Sequence, residues 1–336
     1  MNTSSIPPYI SALLNPSQHE NHPEKVELLQ THISYVLIAG PYVYKFKKPV
    51  NFGFLDFSTL EKRGHYCLRE LELNRRLCPD IYLERVAVTR RADGFKLAGD
   101  GEVIEYGVKM RRLDEAKMMV SIIGAGGLRR THLAAIIDTL VPFYQSAAAD
   151  AAIAAYGTAE AVGVNVLENF TQTEPFIGED LPRHRFAAIR AYAMAQLARE
   201  RWFGARVDGG HIKDCHGDLY SANICLDEPT HIFDCIEFND RFRYADVAAD
   251  IGFLAMDLDF YALDELSNFF VNQFARASGD SELLSYINFY KCYRAYVRGK
   301  INLFTAADDA VDEETATRCR QLARRYFILA ERYTAG

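Results

Sequence analysis

Polar and apolar positions alternate along much of the first third of the chain, as they do in half-buried β-strands. Around Ala39-Gly40-Pro41 the alternation continues on both sides of a turn signal, which predicts a β-hairpin. One stretch in this region instead has its apolar residues at helical spacing. In chain order, the pattern predicts a short leading helix at Pro7–Asn15, the hairpin at Thr31–Lys48 and a longer helix at about Thr59–Leu77. It then predicts two more strands, at Ile81–Thr89 and Val103–Met110.

From Glu115 onward the chain becomes rich in alanine, and its apolar residues recur mostly with a helical period. Gly124-Ala-Gly-Gly127 follows no strand and lacks the Lys-Ser/Thr of a phosphate loop, so it predicts a turn between helices. Thr230–Phe238 is the exception, because it alternates as a β-strand does. The helices predicted here are Leu128–Ala149, Phe186–Phe203, Leu263–Ala277, Leu283–Thr305 and Ala316–Tyr333.

Composition indicates an ordinary soluble globular protein. The chain has 336 residues, 49% of them hydrophobic, and such a chain can bury roughly three quarters of its unfolded surface. A net charge of −7 argues against nucleic acid as a partner, because phosphate backbones need a basic face. Seven cysteines without a C-x-x-C pair indicate reduced thiols. Met1–Ser5 starts no signal peptide and no apolar stretch is long enough to span a membrane, so we expect a cytoplasmic protein.

The strongest chemical signal is His216-Gly217-Asp218-Leu219, with Asn223 five residues after the aspartate. Phosphoryl transfer needs a residue that orients the attacking hydroxyl and oxygen ligands that hold magnesium on the phosphates. Asp218 suits the first task and Asn223 the second. A further carboxylate must reach the metal, and Thr230–Phe238 offers Asp234 and Glu237, which strand alternation would place on opposite faces.

This segment resembles the aminoglycoside phosphotransferase and choline kinase group of the protein-kinase-like fold. The group's catalytic motif is HGDLHxxN, and a later IDF or IDW supplies the magnesium aspartate. Ile236-Glu237-Phe238 stands where IDF falls, so the resemblance favours Glu237 as the second metal ligand, with Asp234 as the alternative. Tyr220 replaces the group's usual histidine. Asp246 and Asp250 resemble its paired aspartates that brace the catalytic loop.

The second strand of the hairpin is the natural place for the lysine that binds ATP phosphates. Lys45 follows Tyr42-Val43-Tyr44, and Lys47 is the rival because residues two apart on a strand share a face. Glu70 on the following helix is the best candidate partner for Lys45. The resemblance further implies that Met110 and Arg111 begin a linker between lobes, whose backbone contacts adenine.

The resemblance implies an α+β, two-lobed protein-kinase-like fold, with a small antiparallel-sheet lobe and a larger, mainly helical lobe. We expect residues 1–113 to form the nucleotide-binding lobe, with its helical lead-in, and residues 114–336 the catalytic and acceptor-binding lobe. The implied function is ATP- and Mg²⁺-dependent transfer of the γ-phosphoryl group to a hydroxyl of a small molecule. The alternatives are a nucleotide-binding pseudoenzyme and a metal-dependent hydrolase that uses His216 and Asp218.

Acidic residues crowd the region around and after the motif, including Asp257 and Asp259. One interpretation is an acceptor cleft for a cation such as an amino sugar, an aminoglycoside or an amino alcohol. The other is that metal ligands, helix caps and a solvated face account for the charges, and this interpretation is favoured. If the cleft exists, Asp257 and Asp259 are the candidates for contact with the acceptor.

Overall fold

The computed structural model describes residues 6–92, 94–309 and 311–335. Contacts between residues divide them into two compact units. We call residues 6–118 with 225–240 the sheet unit, and residues 119–224 with 241–335 the helical unit. The strands are β1 Val26–Gln30, β2 Ser34–Ala39, β3 Tyr42–Lys47, β4 Tyr82–Arg91, β5 Gly94–Leu97, β6 Glu102–Arg111, β7 Ile212–Asp214, β8 Ile224–Cys225, β9 His231–Ile232 and β10 Tyr244–Asp246.

Among the described residues, α1 and α2 are the helices of the sheet unit, and the other helices belong to the helical unit. The helices are α1 Pro8–Leu13, α2 Leu60–Asn74, α3 Met119–Gly124, α4 Arg130–Ser146, α5 Ala151–Ala154, α6 Ala159–Thr173, α7 Arg183–Leu197, α8 Glu200–Asp208, α9 Val247–Phe260, α10 Asp264–Ser278, α11 Leu283–Ala306 and α12 Glu313–Arg332.

The sheet unit contains a six-stranded antiparallel sheet in the order β1-β2-β3-β6-β4-β5. The predicted hairpin is confirmed as β2 and β3, which pair from Ala39 with Tyr42 to Ser34 with Lys47. Gly40 occupies the turn with a φ of 62°, a conformation that costs glycine little. The predicted strands at β4 and β6 are also confirmed. The short edge strands β1 and β5 were not predicted.

Helix α2 confirms the predicted helix at 59–77, although it ends three residues earlier, at Asn74. Thr59 caps its N-terminus by accepting a hydrogen bond from the Lys62 N–H. Cys67 and Leu71 pack with Ile81, Tyr82 and Val108 in a buried cluster. The buried face of α2 therefore anchors Glu70, which is itself fully buried, beneath the sheet.

Residues 225–240 leave the helical part of the chain and pack with the sheet unit. The predicted strand at Thr230–Phe238 is wrong beyond Ile232, because only His231–Ile232 is a strand and Asp234 has a φ of 63°. Polar side chains replace the ladder there: the Asp234 N–H donates to the Tyr82 hydroxyl at 3.2 Å, and the Cys235 N–H donates to Asn74 Oδ1 at 2.9 Å. By its contacts, the first segment of the sheet unit ends at Met118.

The helical unit is built around α9, which is buried along nearly its whole length. The family resemblance implied a helix that starts at Asp246–Asp250, but the hydrophobic periodicity did not predict it. Apolar residues occur on every face of α9, so it has no amphipathic period. Asp246 caps α9 by accepting a hydrogen bond from the Ala248 N–H at 2.9 Å. Helices α10 and α11 pack against it.

The other predicted helices are confirmed except for one. Phe186–Phe203 was expected to be a single helix, but Ala198 and Arg199 separate α7 from α8, and Arg199 has non-helical dihedral angles. Helix α6 was not predicted. Within the described ranges, none of the helices is both long and apolar enough to cross a membrane.

Candidate active site

The predicted catalytic loop lies in the helical unit, between β7 and Asn223, and α9 holds it in place. The Asp250 carboxylate accepts hydrogen bonds from the N–H groups of His216 and Gly217, at 2.7 and 3.0 Å. It also accepts one from the Tyr144 hydroxyl at 3.0 Å. Gly217 has a φ of 86°, which favours glycine at this turn. The loop conformation is thus determined by a buried carboxylate and a glycine.

Asp218 and Asn223 lie in contact within the loop. The Asn223 side-chain nitrogen donates to both the carbonyl oxygen and the carboxylate Oδ2 of Asp218, each at 3.0 Å. Leu219 and Ile224 are fully buried and anchor the loop on either side. The two hydrogen bonds that the Asn223 side chain makes to Asp218 both use its nitrogen. Its oxygen is of the ligand type that a hard cation prefers.

The two aspartates expected to brace the loop have different tasks. Asp250 contacts the loop directly, as described above. Asp246 instead forms a bidentate ion pair with Arg206, at 2.7 and 2.8 Å, and Arg206 also pairs with Asp280 at 2.7 Å. All three side chains of this second group are buried. Asp246 therefore stabilises the start of α9, and only through that helix does it support Asp250.

Within the sheet unit, five charged side chains form what we call the lysine–carboxylate cluster: Lys45, Lys47, Glu70, Asp234 and Glu237. The expected ion pair between Lys45 and Glu70 is present at 2.9 Å, and Lys45 also lies 2.5 Å from Asp234. Lys47 pairs with Glu70 at 2.7 Å and with Glu237. The two rival lysines therefore share one glutamate, and each contacts a different carboxylate of 225–240.

Exposure separates the two halves of the lysine–carboxylate cluster. The side chains of Lys47 and Glu237 are 1% and 5% exposed, whereas Lys45 is 16% and Asp234 43% exposed. Burial raises the pKa of Glu237. Burial also acts to raise the pKa of Glu70, but Lys45 and Lys47 outweigh it and lower that pKa to about 2. Lys47 and Glu237 are buried charged side chains with a structural role, while Lys45 and Asp234 remain accessible to solvent.

The lysine–carboxylate cluster fits a bound cation in its charge. Three carboxylates face two lysines, which leaves one net negative charge when all five groups are ionised. Mg²⁺ commonly binds one or two carboxylates together with substrate phosphates and water. In the part of the chain that the structure describes, no group of three or more His, Cys, Asp or Glu side chains is placed to hold a metal. A site of the magnesium–phosphate kind does not need such a cage.

Met110 and Arg111 lie at the end of β6 rather than in a linker. Met110 is paired with Val43 of β3 and with Tyr82 of β4. The Arg111 N–H donates to the Ile81 carbonyl oxygen at 2.9 Å. The next N–H, of Arg112, donates to the Pro41 carbonyl oxygen at 2.8 Å. These two amides are committed to the sheet unit, so adenine recognition at Met110 and Arg111 stays a prediction.

The two acidic candidates for acceptor contact are both engaged inside the helical unit. Asp257 accepts hydrogen bonds from the N–H of Ser221, at 3.0 Å, and from its hydroxyl. Asp259 lies 3.0 Å from Lys291 and accepts a hydrogen bond from the Tyr333 hydroxyl at 2.5 Å. Both carboxylates are buried. These contacts support the interpretation that structural tasks account for the acidic residues.

The fold is that of protein-kinase-like phosphotransferases. Aminoglycoside 2'-phosphotransferase-IIIa, solved as a GDP complex, is 14% identical, with a TM-score of 0.53 over 96% of this chain and 99% of its own. Amicoumacin kinase hAmiN, solved with AMP-PNP, Ca²⁺ and Ami, is 15% identical, with a TM-score of 0.52 over 91% of this chain and 89% of its own. The resemblance inferred from the motifs is therefore confirmed at the level of the fold.

Sequence similarity leads to uncharacterised proteins. Rv2004c of Mycobacterium tuberculosis and Mb2027c of Mycobacterium bovis are each 34% identical to this chain over 281 residues, which cover 82% of it. The match covers 54% of each relative, so the chain spans about half the length of the curated relatives it matches. No protein-family model matches the chain.

Proposed function

We propose that this protein transfers the γ-phosphoryl group of ATP to a hydroxyl group of a small molecule. The observation that carries the proposal is the loop in which Asn223 holds Asp218 by two hydrogen bonds while Asp250 holds the preceding backbone. Phosphoryl transfer requires positioning and charge neutralisation more than covalent chemistry, and this loop supplies a preorganised carboxylate. The fold, shared with small-molecule phosphotransferases, supports the same function.

The helical unit would contribute the catalytic base and one metal ligand. Asp218 would orient the acceptor hydroxyl and accept its proton as the oxygen attacks the γ-phosphorus. Asn223 would offer its side-chain oxygen to Mg²⁺, which when bound neutralises charge on the phosphates. Its amide nitrogen would at the same time keep the Asp218 carboxylate oriented.

The sheet unit would contribute the groups that bind the nucleotide. Lys45, the more accessible lysine, would hold the α- and β-phosphates, and Glu70 would orient it. Asp234 is the better placed of the two candidate metal ligands, because its carboxylate is partly exposed while that of Glu237 is sealed against Lys47. Glu237 keeps the position that the motif predicts for this ligand. Met110 and Arg111 remain the candidates for contact with adenine.

The decisive experiment is magnesium-dependent ADP release from ATP, screened over sugars, amino sugars, sugar acids, aminoglycosides and amino alcohols. A positioned base is worth roughly 10²–10⁴ in rate, so Asp218→Asn should lose about that factor with the best acceptor. Asp227→Asn, which removes a carboxylate from a surface pair with Lys117, is the matched control and should keep full activity.

The possible results separate this function from its alternatives. Equal activity in Asp218→Asn and the wild type would refute the assignment of the base. Mg-ATP binding without ADP release for any acceptor would favour a pseudoenzyme. Hydrolysis of an ester or amide without nucleotide would favour a metal-dependent hydrolase.

A further inference from the structure

Arg298 of α11 lies against the catalytic loop of the helical unit. Its guanidinium carbon is 4.6 Å from the centre of the Tyr220 ring, and Tyr220 comes two residues after Asp218. Tyr220 in turn stacks on Phe253 of α9, with ring centres 5.4 Å apart and planes at 11°. Two aromatic rings thus form a rigid platform that holds a cationic side chain beside the proposed base.

Arg298 differs from the other cations of α11 in what it contacts. Lys291 pairs with Asp259 at 3.0 Å, Arg294 lies 3.7 Å from Asp250, and Lys300 donates to Gln172 at 2.7 Å. Among the described residues, no carboxylate lies within 4 Å of the Arg298 guanidinium. Its Nε is also buried without a hydrogen-bond acceptor. The Tyr326 hydroxyl is hydrogen-bonded to another part of the same guanidinium. A buried donor normally finds an acceptor, so Nε is arranged for a group that the chain itself does not provide.

Two carboxylates, those of Asp257 and Asp218, act on Arg298 through their charge. Asp257, whose charge acts on Arg298, is bonded to the backbone and hydroxyl of Ser221. The charge of Asp218 also acts on the guanidinium. A cationic acceptor placed at Asp218 would therefore be repelled by the fixed positive charge of Arg298. The Asp257 carboxylate would not offset this repulsion, because it is hydrogen-bonded to Ser221.

We propose that Arg298 binds an anionic group, a carboxylate or a phosphate, on the acceptor whose hydroxyl Asp218 activates. Arginine suits this task because its planar donors match both oxyanions with two parallel hydrogen bonds. The inference rests on the proposed function. In the reaction the bond between the γ-phosphorus and the β,γ-bridging oxygen breaks and ADP leaves. A bond forms from the acceptor oxygen to phosphorus, and the hydroxyl proton passes to Asp218.

The test uses sets of acceptors that differ in charge: D-glucose, D-glucosamine, D-gluconate and D-glucose 6-phosphate, with glycerol, ethanolamine, glycerate and glycerol 3-phosphate as a second set. Binding to the full-length protein is measured by calorimetry with AMP-PNP and Mg²⁺, and KM is measured from ADP release. We expect an anionic member to bind more tightly than its neutral and cationic counterparts. The carboxylate and phosphate members distinguish the two sources of charge.

Arg298→Gln should reduce the preference for the anionic over the neutral member by about 10- to 100-fold, the usual effect of losing a charged hydrogen bond. Arg298→Lys should retain part of the preference, since it keeps the charge but not the bidentate geometry. The matched control is Arg325→Gln, which removes an exposed arginine that lies over Phe260. Arg325→Gln should keep the wild-type preference.

Two outcomes would overturn the inference while the proposed function stands: ATP turnover in which no anionic acceptor is preferred, or an unchanged preference in Arg298→Gln. Failure of the wild-type protein to bind Mg-ATP would instead overturn the proposed function, and this inference with it. Nucleotide binding is measured before any acceptor is added, so the two failures are distinguishable.

Discussion

At the scale of single residues, the lysine–carboxylate cluster shows why two side chains of one type on one strand face can differ in role. Lys45 and Lys47 point the same way from β3 and both reach Glu70, so their spacing made them equal candidates. Burial distinguishes them. Lys47 is enclosed by two carboxylates and lies 4.8 Å from the centre of the Phe57 ring, while Lys45 reaches the partly exposed Asp234.

This difference predicts opposite phenotypes for two matched variants. Lys47→Met should lower the free energy of unfolding by about 3–5 kcal/mol, because Glu237 is then left as an uncompensated buried charge. Lys45→Met should destabilise the protein less and raise the KM for ATP more. Urea unfolding and steady-state kinetics provide the two measurements. Lys25→Met, at an exposed pair with Glu27, is the control, and identical effects of the Lys45 and Lys47 variants would contradict the assignment.

At the scale of elements, α9 connects the hydrophobic core to the catalytic loop. Its burial on all sides fixes its position, and Asp250 projects from its first turn to the N–H groups of His216 and Gly217. The ion pairs of Arg206 with Asp246 and Asp280 hold the start of the same helix. The geometry of the loop therefore depends on how this buried helix is packed.

Asp250→Ala should lose activity without losing nucleotide binding. It leaves two loop N–H groups and the Tyr144 hydroxyl without their acceptor, so the free energy of unfolding should fall by about 1.5–3 kcal/mol or more. Asp250→Asn keeps one acceptor oxygen and should show a smaller loss in both kcat and stability. Asp138→Ala on the exposed side of α4 serves as the control. Full activity in Asp250→Ala would show that the loop does not need this support.

At the scale of the whole molecule, the chain order does not match the compact units. Residues 225–240 belong to the sheet unit although more than a hundred residues separate them from its other segment. Met118 pairs with Cys225 in an antiparallel bridge, and the Leu226 N–H donates to the Lys117 carbonyl oxygen at 2.8 Å. These contacts hold the end of segment 6–118 beside the start of segment 225–240.

The pairing predicts that residues 1–118 will not form a stable unit on their own. Without 225–240, Lys47 loses Glu237, and Asn74 loses the Cys235 N–H. Joining residue 118 to 225 through a turn of about four glycine and serine residues should restore a cooperative unfolding transition and dispersed amide NMR signals. The same fusion with a scrambled 225–240 segment should not. A stably folded fragment 1–118 would refute the expectation.

Local sequence patterns were enough to predict the elements with a clear hydrophobic period and the residues of the catalytic loop. The hairpin, α2 and most long helices follow from local patterns, and Asp218 with Asn223 follows from a five-residue spacing within one loop. Local patterns could not find α9, whose apolar residues surround it, or Arg298, whose α11 neighbours recur as a buried aromatic stripe. The false strand after Ile232 arose because side chains of Asn74 and Tyr82 replaced the expected ladder.

Which charged side chains are buried and which are accessible to solvent follows only from the tertiary structure. Lys45 and Lys47 lie two residues apart on one strand face, and Asp234 and Glu237 lie three residues apart. In each pair, the packing of distant segments leaves one side chain accessible and buries the other. Tertiary contacts also determine the surroundings of Asp257, which accepts a hydrogen bond from Ser221, and of Arg298, which lies over the Tyr220 ring. The free energy of a charge depends on its burial and partners, and residues far apart in sequence supply both.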